Sequence, residues 1–202
     1  MERGKGLSRE GAVEAYLALL DEGVPANFRG LAAKLGCAHT NLYNFFADWD
    51  ALRWAAIAEI LRRLVAAMEG GAAEGGEGAG RKAVRRAEAE VQAALRAYVD
   101  FGLGHPSWYR LVWLEPLASP MPADVRSLSD EAQAAVFARL ARALPGSGGE
   151  GLKTAVACGH DLVHGALAKL LSGREPAPPD AAAFSARLAD LALAAMAAAA
   201  RA

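Results

Sequence analysis

The spacing of apolar residues along the chain predicts helices almost throughout. No segment shows the alternation of apolar and polar residues that marks a half-buried strand. Glycine and proline separate the apolar runs, so that about nine helices are expected. We place them at residues 8–22, 28–35, 38–46, 48–69, 82–103, 106–114, 124–144, 152–171 and from 180 onward.

The first four predicted helices have recognisable starts and ends. Ser8, Asn27 and Asp48 are good N-cap residues, because their side-chain oxygens can accept hydrogen bonds from the first free backbone amides. Gly36 ends the second helix, and the two short helices that it joins have the proportions of a helix-turn-helix. Residues 70–80 contain six glycines in eleven positions, which predicts a flexible loop after the fourth helix.

The composition supports an all-α protein and narrows its environment. Alanine and leucine are abundant and β-branched residues are few, which favours helices. The polar start does not have the pattern of a signal peptide, and no charge-free apolar stretch reaches the roughly 20 residues that a membrane span requires. Cys37 and Cys158 stand far apart in the sequence, so a reducing cytoplasm is expected. The net charge of −1 favours no particular partner.

The third predicted helix divides into two faces. Its inward face is apolar and consists of Leu42, Phe45 and Phe46. Its outward face carries hydrogen-bonding side chains, which are those of His39, Thr40, Tyr43 and Asn44. Such side chains can contact base edges, phosphates and thymine methyl groups, although a plain solvated helix face would have the same pattern.

The segment from Phe28 to Leu52 resembles the DNA-binding motif of the TetR family of repressors. The positions that match the family pattern are Ala32, Gly36, Leu42, Tyr43, Phe46 and Leu52. The resemblance implies that Arg29 contacts a base or a phosphate from the second helix and that Tyr43 holds a phosphate. It also implies that the outward face of the third helix enters the major groove.

Three positions in this segment depart from the family pattern. Cys37 replaces the usual valine, Asn41 the usual threonine or serine, and Trp49 the usual lysine that contacts a phosphate. Asn41 and Trp49 occupy motif positions beside the DNA, so both are candidate DNA-binding residues. Residues 1–50 contain five Lys and Arg against seven Asp and Glu, which leaves few charges for phosphates. One alternative is therefore a helical adaptor that binds protein and carries a decayed DNA motif.

The C-terminal part resembles one subclass of TetR C-terminal domains. Residues 102–113 are similar to its H-P-x-x-Y-R-L-M-F segment, and residues 161–165 to its His-Gly element of the WHG type. The resemblance implies that residues 1–50 bind DNA and that residues 51–202 form a helical bundle that binds an effector and dimerises. It further implies a homodimer on palindromic double-stranded operator DNA, paired through the last two helices. The apolar residues that we assign to this surface on the eighth helix are Leu152, Val156, Val163, Leu167 and Leu170.

An aromatic cluster and a histidine pair form the candidate effector site. Its residues are Tyr98, Phe101, Trp108, Trp113, His160 and His164. Ligand sites are mostly apolar with a few polar groups, so this set favours an apolar or aromatic small molecule, although core packing explains the aromatic residues equally well. A second alternative is a metal-dependent hydrolase, since His160, Asp161 and His164 form an H-D-x-x-H pattern similar to that of zinc proteases. We expect no catalytic residues, metal or cofactor, and so a ligand-responsive repressor that is not an enzyme.

Overall fold

The protein is represented by a computed structural model, which describes residues 7–70 and 80–201. Within these ranges all regular elements are helical. In chain order they are α1 (Arg9–Asp21), α2 (Phe28–Leu35), a 3-10 helix (His39–Asn44), α3 (Trp49–Glu69), α4 (Arg81–Gly104), α5 (Pro106–Trp113), α6 (Ala123–Ala143), α7 (Gly149–Leu171) and α8 (Ala181–Ala199). The prediction of an all-α protein with about nine helices is confirmed. The glycine-rich loop predicted at 70–80 falls mostly on residues 71–79, outside the described residues.

Side-chain caps begin four of these helices at or next to the predicted residues. The side-chain oxygens of Ser8, Asn27, Asp48 and Asp180 each accept a hydrogen bond from the amide three residues on, at 2.8–3.0 Å. Each bond satisfies one of the amides that the first turn of a helix leaves without a backbone partner. The caps therefore fix where these helices start.

Contacts between the helices divide the described chain into two compact units. The N-terminal unit contains the residues up to Arg62 together with His105–Ser127. The C-terminal unit contains Arg63–Gly104 and the residues from Leu128 onward. The domain boundary predicted at residue 50 differs from this division, because it assigns α5 to the second domain.

The buried face of α5 explains why this helix belongs to the N-terminal unit. Trp108, Tyr109 and Leu111 on α5 are all buried. The indole N–H of Trp108 donates to the backbone carbonyl of Leu17 on α1, at 3.3 Å. Since a buried indole requires an acceptor, this bond both packs and orients α5 against α1.

Small residues allow close helix packing in the C-terminal unit, where α8 contacts both α4 and α7. A methyl group at Gly159 of α7 would lie 2.5 Å from the sulfur of Met196 on α8. A methyl group at Gly151 would lie 2.8 Å from the carbonyl oxygen of Ala200. The close approach that the alanine-rich last helix allows is therefore used within this chain.

Three of the five residues predicted to form a dimer surface on the helix now numbered α7 are buried, and the other two, Val156 and Leu170, are half-buried. Leu152, Val163 and Leu167 are at most 5% exposed and pack inside the subunit. Their i, i+4 spacing reflects an inward stripe, and a single sequence does not distinguish an inward stripe from an interface stripe. On α8, by contrast, Leu191 is 55% exposed.

Among the described residues, α8 is the one helix whose length and composition would allow it to cross a membrane. It carries Arg187 and Asp190, both exposed. Its other face is buried, with Leu188, Ala189, Ala192 and Met196 in the core. This pattern is that of a helix packed on one side in a globular unit.

Candidate nucleic-acid interface

The turn between α2 and the 3-10 helix is set by a glycine in the left-handed conformation. Gly36 has φ of 65°. The amides of Gly36 and Cys37 donate back to the carbonyls of Ala33 and Ala32, at 3.2 and 3.0 Å. This arrangement ends α2 sharply and starts a new direction of the chain, because side chains other than glycine are strained at positive φ.

The segment predicted as an α-helix at 38–46 is a 3-10 helix at His39–Asn44. Its hydrogen bonds span three residues, as in those from the amide of Asn41 to the carbonyl of Ala38 and from Phe45 to Leu42, both 3.0 Å. The segment is short and rich in residues of low helix propensity, and no side chain caps its start, so the tighter helix forms. The helix-turn-helix prediction holds in its position and differs in the geometry of its second element.

The 3-10 helix is anchored from below and polar above. Leu42 and Phe46 are buried, at 0% and 2% exposure, whereas Phe45, which was also predicted to point inward, is only half-buried. Five predicted DNA-binding residues of the segment are exposed, and they are His39, Thr40, Asn41, Tyr43 and Asn44. This surface offers neutral donors and acceptors of the kind that read base edges in a groove.

An aromatic cluster under this surface positions Tyr43. The rings of Phe28 and Tyr43 meet edge-on, with centroids 5.0 Å apart, while Tyr43 remains 54% exposed. Trp49 packs edge-on against Phe28 at 5.3 Å and against Tyr16 at 5.1 Å. Trp49 therefore supports the surface by packing in this cluster. In the sequence it stands where the motif that this segment resembles has a lysine that contacts a phosphate. Burial raises the pKa of Tyr16 to about 12, so this phenol stays neutral.

Few cations are available to phosphates on this side of the N-terminal unit. Lys34 is paired with Glu22, at 2.6 Å between Nζ and Oε1. The guanidinium of Arg9 lies over the ring of Phe46, 5.5 Å from its centroid. Arg29 is exposed, and no ion pair involves it within the described part of the chain. Arg29 is thus the cation best placed to meet a phosphate.

A polar network that the sequence does not predict holds the start of α3. One carboxylate oxygen of Asp50 accepts hydrogen bonds from the amides of Ala118 and Ser119, at 3.0 and 3.2 Å. The indole N–H of Trp54 donates to the Oγ of Ser119 at 2.8 Å. Arg53 reaches Glu115 at 2.7 Å. These contacts join residues more than 60 positions apart, so helical periodicity carries no signal for them.

The six predicted effector residues divide between the two units. Trp108 and Trp113 belong to the N-terminal unit, where Trp108 is 4% exposed and stacks on His105, with centroids 4.0 Å apart. The other four, Tyr98, Phe101, His160 and His164, belong to the C-terminal unit. Neither unit alone assembles the predicted set, and the role of Trp108 in packing α5 on α1 is the alternative that the sequence had left open.

The two histidines of α7 form a stacked pair. Their rings are nearly parallel, at 6°, with centroids 5.5 Å apart. The ring of Tyr98 on α4 approaches His160 edge-on at 6.2 Å. Burial, and then the charge of His160, lower the pKa of His164 below its usual value of 6.5, so His164 is neutral at pH 7. His160 also lines a groove of about 510 Å³ with Phe137, Val156 and other residues of α6 and α7.

The hydrolase alternative finds no support in this geometry. The side chain of Asp161 is 82% exposed and lies 3.4 Å from Nδ1 of the adjacent His160. No group of three or more His, Cys, Asp or Glu is placed to hold a metal among residues 7–70 and 80–201. The stacked rings are arranged to contact each other and a neighbouring aromatic side chain.

Solved structures of low sequence identity share this fold. The TetR family transcriptional regulator PfmR from Thermus thermophilus aligns with a TM-score of 0.64 and 18% identity, over 91% of this chain and 97% of its own. A TetR-like transcriptional regulator from a Rhodococcus species aligns with a TM-score of 0.63 and 18% identity, over 95% and 99%. A TetR family transcription regulator from Marinobacter aquaeolei aligns with a TM-score of 0.61 and 12% identity, over 93% and 94%.

Sequence comparison gives the family. No curated protein matches the chain significantly. The family model of the tetracyclin repressor-like C-terminal domain matches residues 91–201, which is more than half of the chain. The all-helical fold and the helix-turn-helix of the N-terminal unit agree with this match. The chain belongs to the TetR family of transcriptional regulators.

Proposed function

We propose that this protein is a ligand-responsive transcriptional repressor that binds palindromic operator DNA as a homodimer. The observation that carries the proposal is the exposed polar surface of the 3-10 helix, anchored by Leu42 and Phe46. A buried anchor beneath neutral donors and acceptors holds those groups at defined positions, which base readout requires. Membership of the TetR family supplies the expectation that this surface meets DNA.

Within this surface, the proposal assigns separate tasks to charge and to hydrogen bonding. Arg29 neutralises a phosphate, and the hydroxyl of Tyr43 donates to one. His39, Thr40, Asn41 and Asn44 face base edges. Because the other cations of α1 and α2 in the described residues have partners inside the protein, few phosphates are neutralised and the salt dependence of binding should be shallow.

Binding to DNA from the region upstream of the protein's own gene tests the proposal. Fluorescence anisotropy should show that Tyr43→Ala and Arg29→Ala each weaken binding by about 1–3 kcal/mol, with unchanged circular dichroism. Tyr43→Phe separates the hydroxyl from the ring that contacts Phe28, and we expect it to lose most of the same affinity. Arg29→Ala should also make the plot of log K against log salt shallower by about 0.9 per half-site.

The exposed Lys153 on α7 offers a matched control, because its removal also deletes one surface cation. Lys153→Ala should bind the DNA as the unaltered protein does. If Tyr43→Ala and Arg29→Ala also bind unchanged, the assignment of this surface is wrong.

The dimer that we propose uses the outward face of α8. Leu191 is 55% exposed there, with the exposed Ala194 and Ala198 following it on the same side and the exposed Arg187 one turn before it. A helix-turn-helix of this size reads too few bases to be selective alone, so two copies are needed on a palindrome. Leu191→Arg should give monomers in light scattering and weaken operator binding. Val24→Arg, which places the same charge on an exposed apolar residue of the N-terminal unit, should leave the dimer intact.

The effector site that we propose lies in the C-terminal unit and uses Tyr98, Phe101, His160 and His164. The stacked histidine pair beside the ring of Tyr98 brings polar and aromatic groups together at a groove, a combination that ligand sites use. Binding of the effector would favour a conformation with lower affinity for the operator. His160→Phe and His164→Phe should weaken release of DNA by an inducing compound without changing DNA affinity in its absence.

A further inference from the structure

The C-terminal unit contains a buried arginine that forms no ion pair with the residues that the structure describes. Arg139 on α6 is 8% exposed. Its Nη1 atom is enclosed and has no hydrogen-bond partner in the part of the chain that the structure describes. Burial of an unpaired charge is unfavourable, and proteins normally place an acid or several acceptors beside it. A site that omits this partner is incomplete as it stands.

The position of Arg139 on its helix directs it to the interior. Leu140 and Ala143, one and four residues later, are 0% and 1% exposed. Phe137, two residues earlier and so on nearly the opposite side of the helix, lines the open groove between α6 and α7. The guanidinium therefore belongs to the apolar interior of the unit and not to that groove.

An acidic side chain that contacts the same stretch of α6, that of Glu90, already binds two other arginine side chains. Glu90 on α4 accepts from Arg142 at 2.8 Å and from Arg86 at 3.3 Å. The hydrogen bond from Arg142 holds the pKa of Glu90 below its usual value of 4.5, so Glu90 is ionised at neutral pH. Arg139 and Arg142 are three residues apart and thus neighbours on α6. Glu90 therefore binds two other guanidinium groups, and no hydrogen bond or ion pair joins it to Arg139.

We propose that Arg139 binds the anionic end of the effector, and that the effector is a small organic anion with an apolar body. A guanidinium fits a carboxylate or a phosphate through two parallel N–H bonds, and its buried apolar neighbours on α6, Leu140 and Ala143, suit an apolar body. The proposal rests on the proposed ligand-responsive function and narrows its ligand class. It revises the expectation of a merely apolar or aromatic effector by adding one negative charge.

Three ligands with eight carbon atoms each separate charge from apolarity. Octanoate and octyl phosphate each carry an anionic group, and octan-1-ol does not. Isothermal titration calorimetry on the protein of residues 1–202 should give at least about tenfold tighter binding for one or both anions than for the alcohol. The better of the two anions then tells whether a carboxylate or a phosphate is the natural group.

Three variants identify Arg139 as the source of the preference. Arg139→Met should remove the anion preference and leave binding of octan-1-ol unchanged. Arg139→Lys, which keeps the charge and loses the fork of donors, should retain part of it. Arg142→Met removes an exposed cation one turn away and should keep the full preference.

The unliganded protein provides a second readout. Removal of an unpaired buried charge should raise the Tm of Arg139→Met by about 2–4 °C, because methionine fills similar space without a desolvation penalty. If Arg139 instead forms a stabilising ion pair with an acidic side chain of the protein in solution, Arg139→Met will melt at a lower temperature. Circular dichroism verifies that each variant keeps its helix content.

Three outcomes overturn the inference, and none of them involves DNA. The first is equal affinity of the unaltered protein for the anions and the alcohol, including no binding of any of them. The second is an anion preference that Arg139→Met keeps, and the third is a lower Tm for Arg139→Met. Operator binding measured in parallel keeps the proposed function separate, since ligand-free Arg139→Met should bind DNA normally. An anion preference in a protein that binds no operator would contradict the regulator proposal alone.

Discussion

In the N-terminal unit, hydrogen bonds from buried or half-buried side chains join the helices, whereas in the C-terminal unit the hydrogen bonds and ion pairs between helices are mostly exposed and small residues let the helices pack closely. Trp108 reaches the carbonyl of Leu17, and Asp50 collects two amides of a distant loop. In the C-terminal unit, Gly159 lets α7 approach Met196 of α8. Directional bonds fix positions, as a DNA-reading surface requires. Close packing of small residues fixes the distance between helices.

The largest change in stability is expected from removing the buried side chain that anchors the 3-10 helix. Leu42→Ala removes a side chain that is 0% exposed, and we expect a loss of about 2–5 kcal/mol in the free energy of unfolding. The adjacent Tyr43→Ala should change stability little while it weakens DNA binding, because Tyr43 is 54% exposed. Urea unfolding followed by circular dichroism measures both variants. Equal destabilisation of the two would show that the surface and its anchor are not separable.

A smaller change in stability is expected where close packing of two helices in the C-terminal unit requires a glycine, which has no side chain. Gly159→Val places carbon atoms where Met196 lies, and overpacking of this kind costs about 1–3 kcal/mol. Gly165→Ala on the same helix is the control, since a Cβ there meets nothing within 4 Å. The control should gain up to about 1 kcal/mol from the higher helix propensity of alanine. If both substitutions stabilise the protein, close packing of α7 on α8 is not what holds this unit.

The polar network of the N-terminal unit gives the next effect in size. Asp50→Ala leaves the amides of Ala118 and Ser119 without their acceptor, and we expect a loss of about 1 kcal/mol. Glu115→Gln removes one charge of an ion pair whose acid is 45% exposed, and should cost less than that. The difference in urea midpoint between the two variants measures how much the directional bonds contribute beyond charge alone.

The sequence predicted the elements well because their signals are local. Caps at Ser8, Asn27 and Asp48 and the glycine at position 36 act within a few residues, so the helix starts and the turn were found. Exposure of Tyr43 and burial of Leu42 followed from the two faces of one short segment.

The remainder depends on contacts between residues far apart in the sequence. Val163 is 1% exposed because α8 and α4 cover α7, and its apolar spacing alone could not exclude a dimer surface. Trp108 was grouped with the histidines because it is near Tyr98 in the sequence, yet its acceptor lies on α1. Arg139 carried no signal, since an arginine in a helix is ordinarily expected at the surface.

The smallest effect concerns pH and the histidine pair of the C-terminal unit. The pKa of His164 is lowered, first by burial and then by His160, and Asp161 opposes this shift. The unfolded chain therefore takes up a proton at His164 near pH 6.5, before the folded protein does. Stability from this source is present above pH 6.5 and is lost as the pH falls from there to the lowered pKa of the folded state. His164→Phe should flatten the dependence of Tm on pH in this window. An unchanged slope in His164→Phe would mean that burial does not lower the pKa of His164.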